Sequence, residues 1–423
     1  MTSPHPKTDP RRVPIAALAD ADAVLAGRLS VDGTARRLRD DSGAIDLLGD
    51  ALPTDLDGAL VEVEGQRHGA AFAVSGWRVL VGTRPGPAPH VPRPEVLRAR
   101  ARMNAALRQL FDADGFVEVE TPCLVPTPGT DVYLEAFQTR FTGLGEFPPA
   151  DLYLHTSPEF AMKRLLVSGM ERIYQICKCF RQGEATARHD PEFSMIEWYR
   201  AFADYTPIMH DVERVVRSVC GDGTLAFGDA RIDLGAPFER LTVREAFARH
   251  CDGLDILATS DAPSLRAAAE ARGLCTLTPG GGWDDLFFEL LLLYVEPNLG
   301  LTRPTFLTDY PTPMAVLARR RDDDPRVAER FELYIAGVEL CNGFTELNDP
   351  VEQRARFAED LGRRVALGLP PYPVPTAFLD ALDRGMPPSG GVALGLDRLL
   401  MLSLDLHDID HVLMRAVPAC DQR

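Results

Sequence analysis

Residues 156–199 constrain the fold more than any other stretch of this chain. They read TSPEFAMKRLLVSGMERIYQICKCFRQGEATARHDPEFSMIEWY. An apolar run from 172 to 179 leads into Phe180 and Arg181, a polar loop covers 182–190, and an alternating run returns through Phe193, Met195, Glu197 and Tyr199. Period-two alternation on both sides of a polar loop predicts a β-hairpin. The hairpin carries an arginine at its turn, an aromatic ring on the return strand, and carboxylates at Glu159 and Glu197. A guanidinium forks onto phosphate or carboxylate oxygens, an aromatic face stacks on a base, and a buried carboxylate pairs with an ammonium. Together these groups suit a site that holds a nucleotide beside an amino acid.

The rest of the chain is organised around that hairpin. At 423 residues it is long enough for two or three domains. Residues 1–14 read as a disordered polar tail. Short alternating runs at 24–29, 35–39, 45–48, 60–64 and 72–81, punctuated by turn residues, predict a small β-barrel of the oligonucleotide-binding (OB) kind over 15–83. A Pro-rich linker spans 84–95. Residues 96–423 read as one large domain, with helical spacing over 96–112, 241–272 and 283–295 and a helix at 397–404. Strands are expected at 116–119, 330–342 and 390–394. Hairpin-linked strands with helices around them indicate an α+β fold with an antiparallel sheet.

Two more segments carry charge that needs a partner. In FELYIAGVELCNG, Ala336-Gly337 suits a two-residue hairpin turn. Tyr334 then opposes Glu339, Glu332 opposes Cys341, and the two glutamates become diagonal neighbours on one face. Crowded carboxylates call for a cation, and Mg²⁺ carried by ATP is a natural one. The alternative is that one or both are solvated on an outer face. In GGVALGLDRLLML, small residues allow close approach to the backbone. Arg398 falls in the first turn of the following helix, where the dipole disfavours a cation unless an anion compensates; the alternative is a surface arginine.

Bulk properties narrow the partners. A formal net charge of −17 argues against wrapping nucleic acid by general electrostatics. The N-terminus lacks an apolar signal core, and no apolar run reaches the length of a membrane span, so a cytoplasmic protein is expected. The eight cysteines are scattered. Cys177 and Cys179 form a C-x-C pair inside a predicted strand, with no second pair or histidine cluster accompanying them in sequence. Buried reduced thiols are therefore expected in place of a zinc site.

These elements stand in the order of the three motifs of class II aminoacyl-tRNA synthetases. SPEFAMKRLL, HDPEFSMIEWY, PTFLTDYP and ERFELYIAGVELCNGFTELNDP resemble the lysyl branch. The run from CNGFTELNDP to GVALGLDRLLML is similar to the elongation factor P–lysine ligase family, and the likeness covers about residues 92–416. The resemblance implies a class II synthetase-like antiparallel sheet flanked by helices. It also implies ATP-dependent activation of lysine, preferably in the (R)-β form, as an acyl-adenylate, and transfer to a lysine ε-amine of elongation factor P. ATP and Mg²⁺ are the implied cofactors, and a homodimer follows from the likeness of GFVEVETP to motif 1. A lysyl-tRNA synthetase is the rival reading; tRNA is disfavoured because Phe72 and Trp77 are the only aromatic residues of the barrel.

By motif, Arg181 resembles the arginine gripping the α-phosphate and the substrate carboxylate, and Arg398 the one on the far phosphates. Phe193 resembles the adenine-stacking ring. Gln182, Gly183, Glu184, Asp190, Glu339, Leu340 and Gly395 complete the implied ATP site, and Glu332 and Glu339 the Mg²⁺ site. Ser157, Pro158, Glu159, Glu197, Tyr199, Asn342, Glu346 and Ala393 resemble the lysine pocket, with Tyr199 and Glu346 on the ε-ammonium. Three departures stand out. Glu184 comes one place later than the usual motif 2 acid, Asp190 replaces an asparagine, and Ala393 replaces the glycine of the tRNA synthetases. The Ala393 methyl group is expected to narrow the α-amine end of the pocket and favour a β-amine.

Overall fold

The computed structural model describes residues 11–19, 21–49, 52–82, 92–274, 280–315 and 317–414. They fall into two compact units, Met1–Ala101 and Arg102–Arg423. Residues 1–10 of the expected tail and 84–91 of the expected linker lie outside the described residues. Arg11–Pro14 are not free: the Val13 amide donates to Val24 O at 3.0 Å. The last residues of the expected linker are already helical, because Pro94 opens the helix Pro94–Ala113, where its fixed φ and missing N–H cost nothing.

In the first unit, Asp22–Asp32, Ala35–Arg39, Ala44–Leu48, Leu60–His68 and Ala71–Val81 close into a five-stranded barrel. Inward residues Leu25, Leu29, Leu38, Val61, Val63 and Phe72 fill it. Gly65 is required where strands cross closely, since a Cβ there would lie 1.9 Å from Ala73 O. Phe72 is buried in this core, leaving Trp77, 38% exposed, as the one barrel ring open to a ligand among the described residues.

The second unit is built on an eight-stranded sheet. Its order is Glu239–Thr242, Thr305–Pro311, Val327–Ile335, Val338–Thr345, Ser389–Gly395, Glu192–Ala201, Arg172–Phe180 and Val117–Glu118. The six central strands are antiparallel and the two edge strands pair in parallel. Alternation decides the faces. Ile196 and Trp198 of the return strand are buried on one side with Phe111 and Tyr174, whose rings stack at 4.7 Å. Phe193, Met195, Glu197 and Tyr199 point to the other side, which carries the cavity. The expected helix over 241–272 is a strand, Glu239–Thr242, followed by helices Val243–His250 and Ala262–Glu270; Thr242 and Glu245 form a capping box at the switch. Among the described residues no helix is long and apolar enough to cross a membrane.

Candidate active site

A cavity of about 730 Å³ opens on this face of the sheet, within the range of small-molecule sites. Arg181 and Arg398 both line it. Arg181 follows the strand Arg172–Phe180, and its amide donates to Pro191 O at 2.9 Å. Its guanidinium carbon sits 5.0 Å from the centre of the Phe193 ring. Its Nε is buried with no hydrogen-bond partner among the described residues, and the Glu184 carboxylate is 3.7 Å away. A partly buried guanidinium with a spare donor is a ready anion receptor. Glu184 lines the cavity in spite of its shifted position.

Arg398 lies in the first turn of the helix Leu396–Ser403. The anion expected to offset the dipole is Glu339: Arg398 Nη1 donates to its backbone oxygen at 2.8 Å and to its carboxylate at 3.2 Å. Nε donates to Arg188 O at 3.3 Å, and Nη2 meets His189 Nε2 at 2.5 Å. Burial, and then the charge of Arg398, lower the pKa of His189, so the ring is neutral and accepts this bond. Asp397, in the same turn, accepts the Ser194 amide at 2.6 Å and ties helix to hairpin.

The other end of the cavity is acidic. Ser157 Oγ donates to Glu197 at 2.8 Å, and the Tyr199 hydroxyl donates to the same carboxylate at 2.5 Å. Lys163, one turn after Glu159 on the helix Glu159–Val167, is fully buried and sits 2.5 Å from both Glu159 and Glu346. Glu346 Oε1 is buried and has no hydrogen-bond partner among the described residues. Burial, and then the nearby Glu159 charge, push Glu197 up to about 8. Burial also lifts Glu346 to about 8, against the pull of Lys163. Burial opposes the charge on Lys163, but Glu159 and Glu346 outweigh it and its pKa stands above the ordinary lysine value. Three carboxylates against one ammonium leave two negative charges when all are ionised, which complements a ligand with two ammonium groups. Pro158, Asn342 and Ala393 also line this end, and Ala393 stands in register between Glu197 and Asn342.

Three expected residues are not part of the cavity wall. Gln182 and Gly183 turn away at the loop: the Gln182 amide bonds Glu135 O at 2.7 Å, and Gly183 serves as a turn with φ of 87°. Glu332 does not oppose Cys341. The Ala336-Gly337 turn forms with both residues at positive φ, and Tyr334 faces Glu339, but a bulge then shifts the register so that Glu332 faces Asn342. Glu332 is enclosed. Arg330 donates to one oxygen at 2.6 Å, and the Tyr310 and Tyr334 hydroxyls donate to the other at 2.5 and 2.6 Å. The cation that answers its charge is a guanidinium of the protein.

Some site residues were not foreseen. Lys163 could have been noticed as one of the chain's three lysines, placed four residues after Glu159 on a helix. Gly391 matters for a reason other than ligand approach: a Cβ there would lie 2.4 Å from Glu346 Oε1 and 2.4 Å from the Tyr199 ring. His155 gave no sequence signal, yet it folds beside Cys177 and Cys179. The thiols are also less uniformly buried than expected. Cys123 is exposed and Cys177 and Cys220 are half-buried, while Cys275 and Cys420 lie outside the described residues.

Residues 92–416 match the class II tRNA synthetase family (D, K and N). The chain is 43% identical over 325 residues to the elongation factor P–(R)-β-lysine ligase of Erwinia tasmaniensis, covering 77% of this chain and 95% of that protein. The chain belongs to this ligase family, within the class II synthetases. Ligases of the same name from Klebsiella pneumoniae strain 342 and an Enterobacter species are 40% identical over 326 residues and 41% over 321. They cover 77% and 76% of the chain, and 95% and 94% of their own lengths. The family match begins at residue 92, after the barrel strands.

Proposed function

We propose that this protein activates lysine, in its (R)-β form, with ATP and transfers the acyl group to a lysine ε-amine of elongation factor P in the cytoplasm. The observation that carries this reading is the division of one cavity into a guanidinium end and an acidic end, whose three carboxylates when ionised exceed its one ammonium by two charges and so match the two ammonium groups of lysine.

A lysine carboxylate oxygen attacks the α-phosphorus, the bond to the bridging oxygen of pyrophosphate breaks, and an acyl-adenylate forms. The acceptor amine then attacks the acyl carbon, AMP leaves, and the amine loses a proton to solvent. Neither step demands a strong base; alignment and charge neutralisation dominate. Arg181 would hold the lysine carboxylate against the α-phosphate, and Arg398 the far phosphates. Phe193 would stack on adenine, with Glu184, Asp190, Leu340 and Gly395 walling the nucleotide. Tyr199 and Glu346 would hold the ε-ammonium, and Glu159 with Glu197 the other amine. Glu339 fits a magnesium ion brought with ATP, because its carboxylate is half-exposed in the cavity wall; Glu332, with both oxygens engaged, does not fit as arranged. Bound magnesium would neutralise phosphate charge there. A homodimer is part of this reading, supported by Val117 within GFVEVETP and Leu124 just after it, exposed at 48% and 50%, and sedimentation tests it.

The deciding experiment offers labelled (R)-β-lysine, ATP, elongation factor P and tRNA together. Label on elongation factor P is expected. Label on tRNA alone would replace this reading with a lysyl-tRNA synthetase, and absence of lysine-dependent pyrophosphate exchange would remove both.

A further inference from the structure

His155, which lines the cavity, stands with Cys177 and Cys179; each offers one ligand atom, and these atoms lie within 4.8 Å of one another. They come from separate parts of the chain: His155 follows the strand Ala150–Leu154, and the cysteines alternate on one face of Arg172–Phe180. That face is the cavity side, because Cys177 and Cys179 stand opposite Met195 and Phe193 in the register.

The imidazole is set for coordination. Nε2 is 2.7 Å from Lys178 O, and a carbonyl only accepts, so Nε2 carries the proton and Nδ1 holds the lone pair. Nδ1 is buried and has no hydrogen-bond partner among the described residues. A ring nitrogen oriented through a carbonyl on the opposite side is the usual support of a metal-ligating histidine.

Distances separate a metal site from a disulfide. The Cys177 and Cys179 sulfurs are 3.9 Å apart. Two thiolates on tetrahedral zinc, each at about 2.3 Å from it, stand about 3.8 Å apart. A disulfide would need closure to about 2.05 Å between positions two apart on a strand. Their Cα atoms are separated by about 6.6 Å, near the upper limit for such a bond. The sulfur spacing therefore fits a shared zinc ion, and a disulfide only with strain.

We propose that His155, Cys177 and Cys179 bind one Zn²⁺, with water completing the tetrahedron on the cavity side. Binding converts two thiols to thiolates and releases two protons to the buffer. The ion joins the segment leading into Ser157 to the strand beside Glu197, bracing the acidic end of the cavity. Nothing in this site depends on the lysine-transfer reading.

The test uses the full-length protein and Co²⁺ as the probe. Co²⁺ added to metal-free protein is expected to give intense tetrahedral ligand-field bands and a thiolate-to-cobalt charge-transfer band, saturating at about one ion per chain. The Cys177→Ser/Cys179→Ser double variant and His155→Ala are expected to lose or weaken both. Should the variants fail to fold, Zn²⁺ must protect two thiols of the wild-type protein from a thiol reagent, reversibly on chelation. Absence of the bands and of this protection in the wild type, or bands unchanged in folded variants, would overturn the assignment.

Discussion

The Lys163 ammonium and the Glu346 carboxylate meet at 2.5 Å with side-chain exposures of 0% and 1%. The acidic end of the cavity thus contains its own cation before any substrate arrives, and Glu159 shares it. Removing one partner of a buried pair strands the other. Lys163→Met is therefore expected to cost about 3–5 kcal/mol of stability, measurable by urea denaturation. A loss under about 1 kcal/mol would mean the pair is far more solvated than its burial indicates.

The raised carboxyls give a pH dependence. Glu197 and Glu346 titrate at about 8 in the fold, against about 4.3 in an unfolded chain. A raised folded pKa contributes stability that is complete below the unfolded value and is lost as pH rises through about 8. The ligand-free protein should weaken over that window. Lysine, a cation, selects the ionised carboxylates, so its affinity should climb from pH 6 to 8 with proton release. Calorimetry in two buffers of different ionisation enthalpy measures this, and a flat profile would contradict the assignment.

Arg181→Ala and Arg398→Ala should each lower lysine-dependent pyrophosphate exchange by about 10²–10³-fold, comparable to losing one preorganised donor to developing charge. Arg181→Lys should recover little of this, because an ammonium cannot fork onto two oxygens.

Gly391→Ala should be costly for its size. The new methyl group would enter space held by Glu346 and the Tyr199 ring, and overpacking of this sort costs about 1–3 kcal/mol. Thermal denaturation gives the stability loss, and the lysine KM should rise because both displaced side chains face the cavity.

Ala393→Gly should shift preference from β-lysine toward α-lysine, by about tenfold for a methyl-sized change in pocket volume. Competition between the two isomers in the exchange assay measures it, and an unchanged ratio would remove Ala393 from the specificity determinants.

Local pattern foretold much of this architecture. The barrel strands, the motif 2 hairpin and the Ala336-Gly337 turn all follow from alternation and turn chemistry. The convergence of Arg181, Arg398, Glu197 and Glu346 on one cavity came from motif order and not from spacing. What stayed hidden depended on contacts between distant segments. Glu332 read as a metal ligand because Tyr310, which helps to enclose it, comes from another strand. His155 looked isolated because its neighbours lie more than twenty residues away, on a strand of a different sheet from the one that leads into it. The switch at Thr242 was missed because the apolar spacing of a short parallel edge strand runs on into the helix after it.

The bulge between Glu339 and Asn342 sets a constraint of another kind. It inverts the odd–even phase of the strand, so that Glu339 upstream and Asn342, Phe344 and Glu346 downstream all face the cavity. Loss of one residue at Leu340 would restore regular pleating and swing one of these two groups to the opposite side of the sheet. Side chains here can be exchanged one at a time, but the chain length between Gly337 and Glu346 cannot drift, and homologues should vary in composition across this segment while never gaining or losing a position.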